Sequence, residues 1–153
     1  MPTAWLNVPH LLQNNDGYCL PACASMVLAY WQNPISQEKI AILLDATQQG
    51  VPGSRIRRLE NWGYQITYRP ATLAELQTWI EQGIPPIVLV DTDFLEYWDV
   101  GTPHAVVVIG FDDSFIYLND PAFATAPQKT SLDGFLAAWA EMDDVAAVIE
   151  RIE

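Results

Sequence analysis

Two cysteines and two histidines in a chain of 153 residues are few enough to weigh one by one. A cysteine becomes a useful nucleophile only as its thiolate, and the start of a helix favours that form through unpaired N–H groups and the macrodipole. Cys19 stands at such a place. Asp16-Gly17 reads as a turn just before it, and Pro21 suits the first turn of a helix just after it. Cys23 lies one turn further in, on the side that carries Leu20, Val27 and Trp31, where a thiol reads as a small buried hydrophobe. A disulfide between the two would close a very short loop in awkward geometry, so both read as free thiols.

A thiol nucleophile needs a base, normally histidine. His10 follows Val8-Pro9 in a loop-like stretch, whereas His104 opens the apolar run AVVVIGF, Ala105 to Phe111. Asp112-Asp113-Ser114 is a turn-type cluster, and FIYL, Phe115 to Leu118, follows it, so the two runs read as a β-hairpin. A tight turn would set position 104 opposite 121 or 122, which leaves Asn119 or Asp120 within one or two residues of the imidazole. Either could accept the ring N–H and fix its tautomer, and parity does not choose between them. Gln13, six residues before Cys19, offers a side-chain amide as donor to a developing oxyanion. A zinc site of Cys19, Cys23, His10 and His104 is disfavoured, because CxxxC is not a spacing of the usual structural sites. No metal or other cofactor is implied.

The elements that must position these groups fall in two halves. Apolar residues from Leu20 to Trp31 recur at helical spacing, Ser36 can cap a second helix to about Ala46, and Gly53-Ser54 opens a third to about Trp62. YQITYR, Tyr64 to Arg69, alternates as a strand; Thr72 caps a helix that closes at Gly83; Ile87 to Val90 is a short buried strand. After the hairpin come a helix at roughly Leu132 to Ala140 and a terminal strand at Val145 to Ile149. Helices first and mostly antiparallel strands afterwards give an α+β class, with the helical half packed on the sheet half. The length suits one domain, 1–153.

Seven Lys plus Arg against nineteen Asp plus Glu leave a formal charge of −12, which repels nucleic-acid backbones and anionic membrane surfaces. The first ten residues have no basic or apolar region of a signal peptide, and no stretch is apolar for long enough to span a bilayer. The chain therefore reads as cytoplasmic, with no membrane insertion. Arg55, Arg57 and Arg58 form the one basic cluster, in which Arg57 and Arg58 read as a solvated helix face with Glu60 nearby. The stretch DTDFLEYWDVGTP, Asp91 to Pro103, runs straight into His104. Its aromatics Tyr97 and Trp98 read as apolar anchors for a substrate, and its four acids as a preference for Lys or Arg near the scissile bond.

The set Gln13, Cys19, His104 and Asp120, in that order, resembles the papain-like cysteine peptidases. QNNDGYCLPACASM and HAVVVIGFDD with a following NDP are similar to the motif blocks of the bacterial branch that removes double-glycine leaders from bacteriocin precursors, and of its stand-alone relatives. The resemblance implies a papain-like fold with the nucleophile on the helical half. It implies Cys19 as nucleophile, His104 as general base and acid, Asp120 as the orienting acid, and Gln13 as the oxyanion donor of a peptidase or amidase acting through a thioacyl-enzyme. A thiol acyltransferase or deamidase using the same residues, and a catalytically weak peptide-binding module, are the alternatives. The implied partner is a peptide or protein substrate. Leader peptidases often carry membrane and nucleotide-binding domains, so a separate partner protein or transporter is a further expectation. Leu20 stands where the family usually has Gly, and its larger side chain would narrow the substrate groove.

Overall fold

The computed structural model describes residues 3–152. Helices precede most strands, as expected. α1 (Cys19–Tyr30) and α2 (Gln37–Leu44) come first, with the α2 backbone N–H of Lys39 donating to the cap hydroxyl of Ser36. The segment Gly53–Trp62, expected as an ordinary helix, is instead a 3-10 helix. Its buried residues, Ile56 and Leu59, are three apart, which matches a turn of three residues. Arg57 and Arg58 are exposed, as expected, and Arg55 is half-buried. Arg55 donates to the carbonyls of Leu44 and Asp45, Arg57 to that of Tyr68 and Arg58 to that of Leu43, so they stitch the segment to α2 and the following strand.

β2 (Tyr64–Pro70), α3 (Leu73–Glu81), β3 (Ile87–Asp91), β4 (Pro103–Phe111), β5 (Phe115–Asn119), β6 (Gln128–Ser131), α4 (Leu132–Ala140) and β7 (Val145–Arg151) complete the chain, and a short β1 (Ala4–Trp5) pairs with the end of β4. The sheet runs β2-β7-β3-β4-β5-β6 and its pairs are antiparallel. α3 begins in a full capping box of Thr72 and Glu75, the cap expected from sequence.

Both faces of the sheet are covered, which is why β4 reads as one apolar run rather than an alternation. Ala105, Val107 and Ile109 pack with α1, α2 and the 3-10 segment. Val106, Val108 and Phe111 pack with Leu76 and Ile80 of α3 and with Phe135 and Trp139 of α4. α1 is not an amphipathic surface helix: every residue from Leu20 to Leu28 is buried. It is enclosed by the sheet on one side and by α2 and the 3-10 segment on the other.

Register decides where the site can form. Val107 pairs with Asn119 and Val108 with Leu118, and an irregularity then shifts the ladder so that Gly110 meets Tyr117. The ladder ends at Asn119, so His104 has no partner at 121 or 122 as a tight turn would give. It lies opposite Val90 of β3. The chain turns out of the sheet at Asp120. There the segment preceding α1 meets it: the Asn119 amide donates to the Val8 carbonyl, His10 Nε2 to the Asp120 carbonyl, and the Gln13 N–H to the Pro121 carbonyl. A carbonyl can only accept, so His10 carries its proton on Nε2.

Candidate active site

Cys19 is the first residue of α1, one of the positions whose N–H has no partner inside the helix. Gly17 just before it adopts φ +78°, and a Cβ there would lie 2.1 Å from the Thr47 carbonyl oxygen. Only glycine lets this turn approach the Thr47–Gly50 turn so closely. Between them they form one wall of a cleft of about 470 Å³, whose lining includes Gln13, Cys19, Leu20, Trp98 and His104. Leu20 is both core and cleft wall, since it is also nearly fully buried among the apolar residues beneath.

His104 Nε2 lies 2.7 Å from Asp120 Oδ1, and its ring lines the same cleft as the Cys19 thiol, close enough for their charges to interact. Asp120 is fully buried, and its carboxylate accepts from four donors. The Ala122 N–H joins His104 on Oδ1, and Tyr97 Oη (2.7 Å) and Trp98 Nε1 (2.9 Å) donate to Oδ2. Asn119, the other sequence candidate, turns its amide away to Val8.

The electrostatics follow from this wiring. Burial alone would raise the Cys19 thiol, but the hydrogen bond and charge of His104, with the N–H groups of Ala105 and Leu20, bring it below its ordinary value. Burial alone would lower His104, yet its bonds to Asp120 and Cys19 and their charges push it up to about 9. Asp120 is held below the usual carboxylate range against its burial, by His104, the Ala122 N–H and Tyr97. Cys23 is the opposite case: burial first, then the charges of Cys19 and Asp120, push its thiol well up. An array of this kind can hold a thiolate–imidazolium pair over the neutral range.

The stretch before His104 differs from its expected role. β3 takes in Asp91, a 3-10 turn covers Thr92–Phe94, and Thr92 ties the loop shut through the Val100 carbonyl and the Thr102 N–H. Asp91 caps that turn, Glu96 accepts from Thr130 and the Ser131 N–H, and no acid of the loop lines the cleft. Trp98 lines it, but Tyr97 does not, and both aromatics spend their donors on Asp120. The cleft lining contains no Asp, Glu, Lys or Arg, so the expected preference for basic substrates has no counterpart there.

Gln13 lines the cleft and donates from Nε2 to the Asn15 carbonyl at 3.1 Å, while its Oε1 is buried without a hydrogen-bond partner. Sequence reasoning weighed His10 only as a base or a zinc ligand, not as a brace for the Asp120 backbone, and passed over the Glu96 clamp and the wall around Gln48 and Gly50. None of them has a local signature, since each works through residues far away in the chain. Among the described residues, no three His, Cys, Asp or Glu side chains gather as a metal site.

Residues 5–147 match the sequence profile of the Peptidase_C39 like family. The chain belongs to that family. In this C39-like chain the match runs from β1 into β7 and includes Gln13, Cys19, His104 and Asp120. The uncharacterized protein YvpB of Bacillus subtilis (strain 168) is 33% identical over 85 residues, covering 47% of this chain. The match spans only 34% of YvpB, about a third of that curated relative.

Solved structures show the same fold. A C39-like protein from Bacillus anthracis superposes with a TM-score of 0.82 at 18% identity, covering 98% of each chain. A double glycine motif protease from an AMS/PCAT transporter, in complex with the leader peptide, gives 0.76 at 19% identity, over 98% of this chain and 96% of the other. The peptidase domain of Streptococcus ComA, a bi-functional ABC transporter, gives 0.76 at 18%, over 95% of this chain and all of the domain. The papain-like α+β architecture is therefore established, and membership of a peptidase family supports peptidase-type chemistry. No helix among the described residues is long and apolar enough to cross a membrane.

Proposed function

We propose that this chain is a cysteine peptidase or amidase, folded as one papain-like domain, that works through a thioacyl-enzyme. The observation that carries the reading is the placement of the imidazole: His104 is held through Nε2 by the buried Asp120 and lines the same cleft wall as Cys19, with whose thiol it interacts. The Cys19 thiolate attacks a substrate carbonyl carbon and forms the S–C bond. Gln13 and the Cys19 N–H are the donors for the resulting oxyanion; the Gln13 amide has two N–H groups and spends one on Asn15. The C–N bond then breaks as His104 gives its proton to the leaving amine. Water, deprotonated by the now neutral His104, hydrolyses the thioester and returns the thiol to the pair.

An uncharged cleft favours a substrate segment without charged side chains beside the cleaved bond, because a buried charge would find no partner there. A peptide ligand agrees with the leader peptide bound by the AMS/PCAT protease, and a separate partner protein or transporter would deliver it. Incubation with a peptide library, read by mass spectrometry, tests the reading. Wild-type protein should cleave or deamidate uncharged segments and form a covalent adduct with a peptide aldehyde. Cys19→Ala should do neither, and turnover that survives Cys19→Ala would overturn the assignment.

A further inference from the structure

The loop that carries Tyr97 and Trp98 leaves an observation that substrate binding does not absorb. Three consecutive side chains are each committed to a partner distant in sequence. Glu96 Oε1 accepts from Thr130 Oγ1 at 2.9 Å and from the Ser131 N–H at 2.8 Å, which anchors the loop to β6 and the start of α4. Tyr97 and Trp98 then reach Asp120 Oδ2 from that anchored backbone. Their rings are held in turn. Phe123, three residues past Asp120, packs edge-on against both at 5.2 Å, and the Trp98 ring meets the imidazole of His104 edge-on at 4.9 Å.

We infer that Tyr97 and Trp98 are positioning residues for the general base: they saturate the outer oxygen of Asp120, so that Oδ1 alone faces His104 and the imidazole is clamped between carboxylate and indole. This assignment rests on the reading of the site as a thiolate–imidazolium pair. The physical reason is the lone-pair count of a buried carboxylate. An oxygen at no exposure without donors would be strongly disfavoured as an anion, so Asp120 would turn or take up a proton. Two neutral donors on Oδ2 prevent both outcomes without adding charge. They also draw electron density from the carboxylate and temper its grip on the imidazolium proton.

The other titratable groups facing the pair are Cys19 and, one turn deeper in α1, Cys23, together with His10, whose Nε2 holds the Asp120 backbone carbonyl. The loop's own acids stay out of it, since Glu96 is occupied on β6 and Asp91 in its turn. The loop is thus a buttress of the catalytic pair, and Trp98 alone of its aromatics also borders the cleft.

The test is the pH dependence of Cys19 alkylation by iodoacetamide in the full chain, a readout that needs no substrate. The rate should rise in two steps, the lower reporting thiolate formation beside His104 and the upper reporting loss of the His104 proton. In Tyr97→Phe, which keeps the ring against Phe123 but removes the O–H, Trp98 still donates to Oδ2, so Asp120 stays ionised but more basic and the upper step should move up by about half a pH unit. Trp98→Phe should move it the same way, and it carries the test alone if the tyrosine variant does not fold. Val100→Ser, at an exposed position of the same loop, should leave both steps in place. On a cleaved peptide, Tyr97→Phe should lower kcat by about threefold to tenfold with KM unchanged. An upper step that stays put or moves down in both aromatic variants would overturn the proposal, as would a KM effect of Tyr97→Phe with kcat intact. Absence of peptide cleavage by the wild type would instead count against the peptidase reading, because the alkylation profile would still report on Asp120 and His104.

Discussion

The two sides of the sulfur are built in opposite ways. On the acid–base side the polar groups are committed before any substrate arrives: Asp120 has four donors, His104 is held by one of its oxygens, and Tyr97 and Trp98 are fixed by Phe123. On the oxyanion side the wiring is incomplete. Gln13 is held through its backbone by Pro121 and through one amide hydrogen by Asn15, which leaves the second hydrogen of Nε2 to donate. A proton relay has to keep its geometry through both halves of the reaction, so it profits from being overdetermined. An oxyanion donor must keep free the bond it makes only in the transition state. The same Asn119–Pro121 turn serves both sides, since it carries the carboxylate and anchors the Gln13 backbone.

The largest expected effect comes from breaking the wired side. Asp120→Asn keeps the shape but replaces an acceptor-only group with one that can present the wrong atom to His104, and turnover should fall on the order of 10³-fold. The pH profile sharpens the point. The pair is productive above the lowered pKa of Cys19 and below that of His104, which sits at about 9 because Asp120 and the thiolate favour the imidazolium against its burial. Without the carboxylate charge the alkaline limb of kcat/KM should move down in pH. An unchanged limb would remove Asp120 from the pair.

Breaking the open side should cost less and look different. Gln13→Ala should lower kcat by about 10²-fold, while the rate of Cys19 alkylation and its pH dependence stay close to wild type. A Gln13→Ala protein that alkylates as slowly as it turns over would show that Gln13 acts on the thiolate rather than on the transition state.

The contrast between the sides also explains what could be read from the sequence. Cys19 was legible because a turn, a helix start and Pro21 are local signals, and His104 because it opens an apolar run. The α+β class followed from the order of helices and strands and the papain-like fold from the resemblance of the motif blocks, and the family match and the solved folds agree with both. Asp120 could not be separated from Asn119 by residue type, because the shift between Val108 and Gly110 and the end of the ladder at Asn119 leave no mark in the turn residues. The loop was legible only in part, Trp98 bordering the cleft as expected, for a related reason. Tyr97 and Trp98 look like exposed anchors until their partner, more than twenty residues away in sequence, is folded against them. Two of the acids that suggest a basic ligand, Asp91 and Glu96, are likewise spent on a turn and on β6.

Competitive labelling of the two thiols tests the central claim most directly. Native protein is treated with iodoacetamide at about pH 6, well below the ordinary thiol pKa of about 8.5, and the modified cysteine is located by peptide mass mapping. The lowered pKa and partial exposure of Cys19 predict carbamidomethyl label on Cys19, with Cys23 unmodified behind full burial and a raised pKa. Equal labelling of the two, or label on Cys23 alone, would contradict the assignment of Cys19 as the activated thiol.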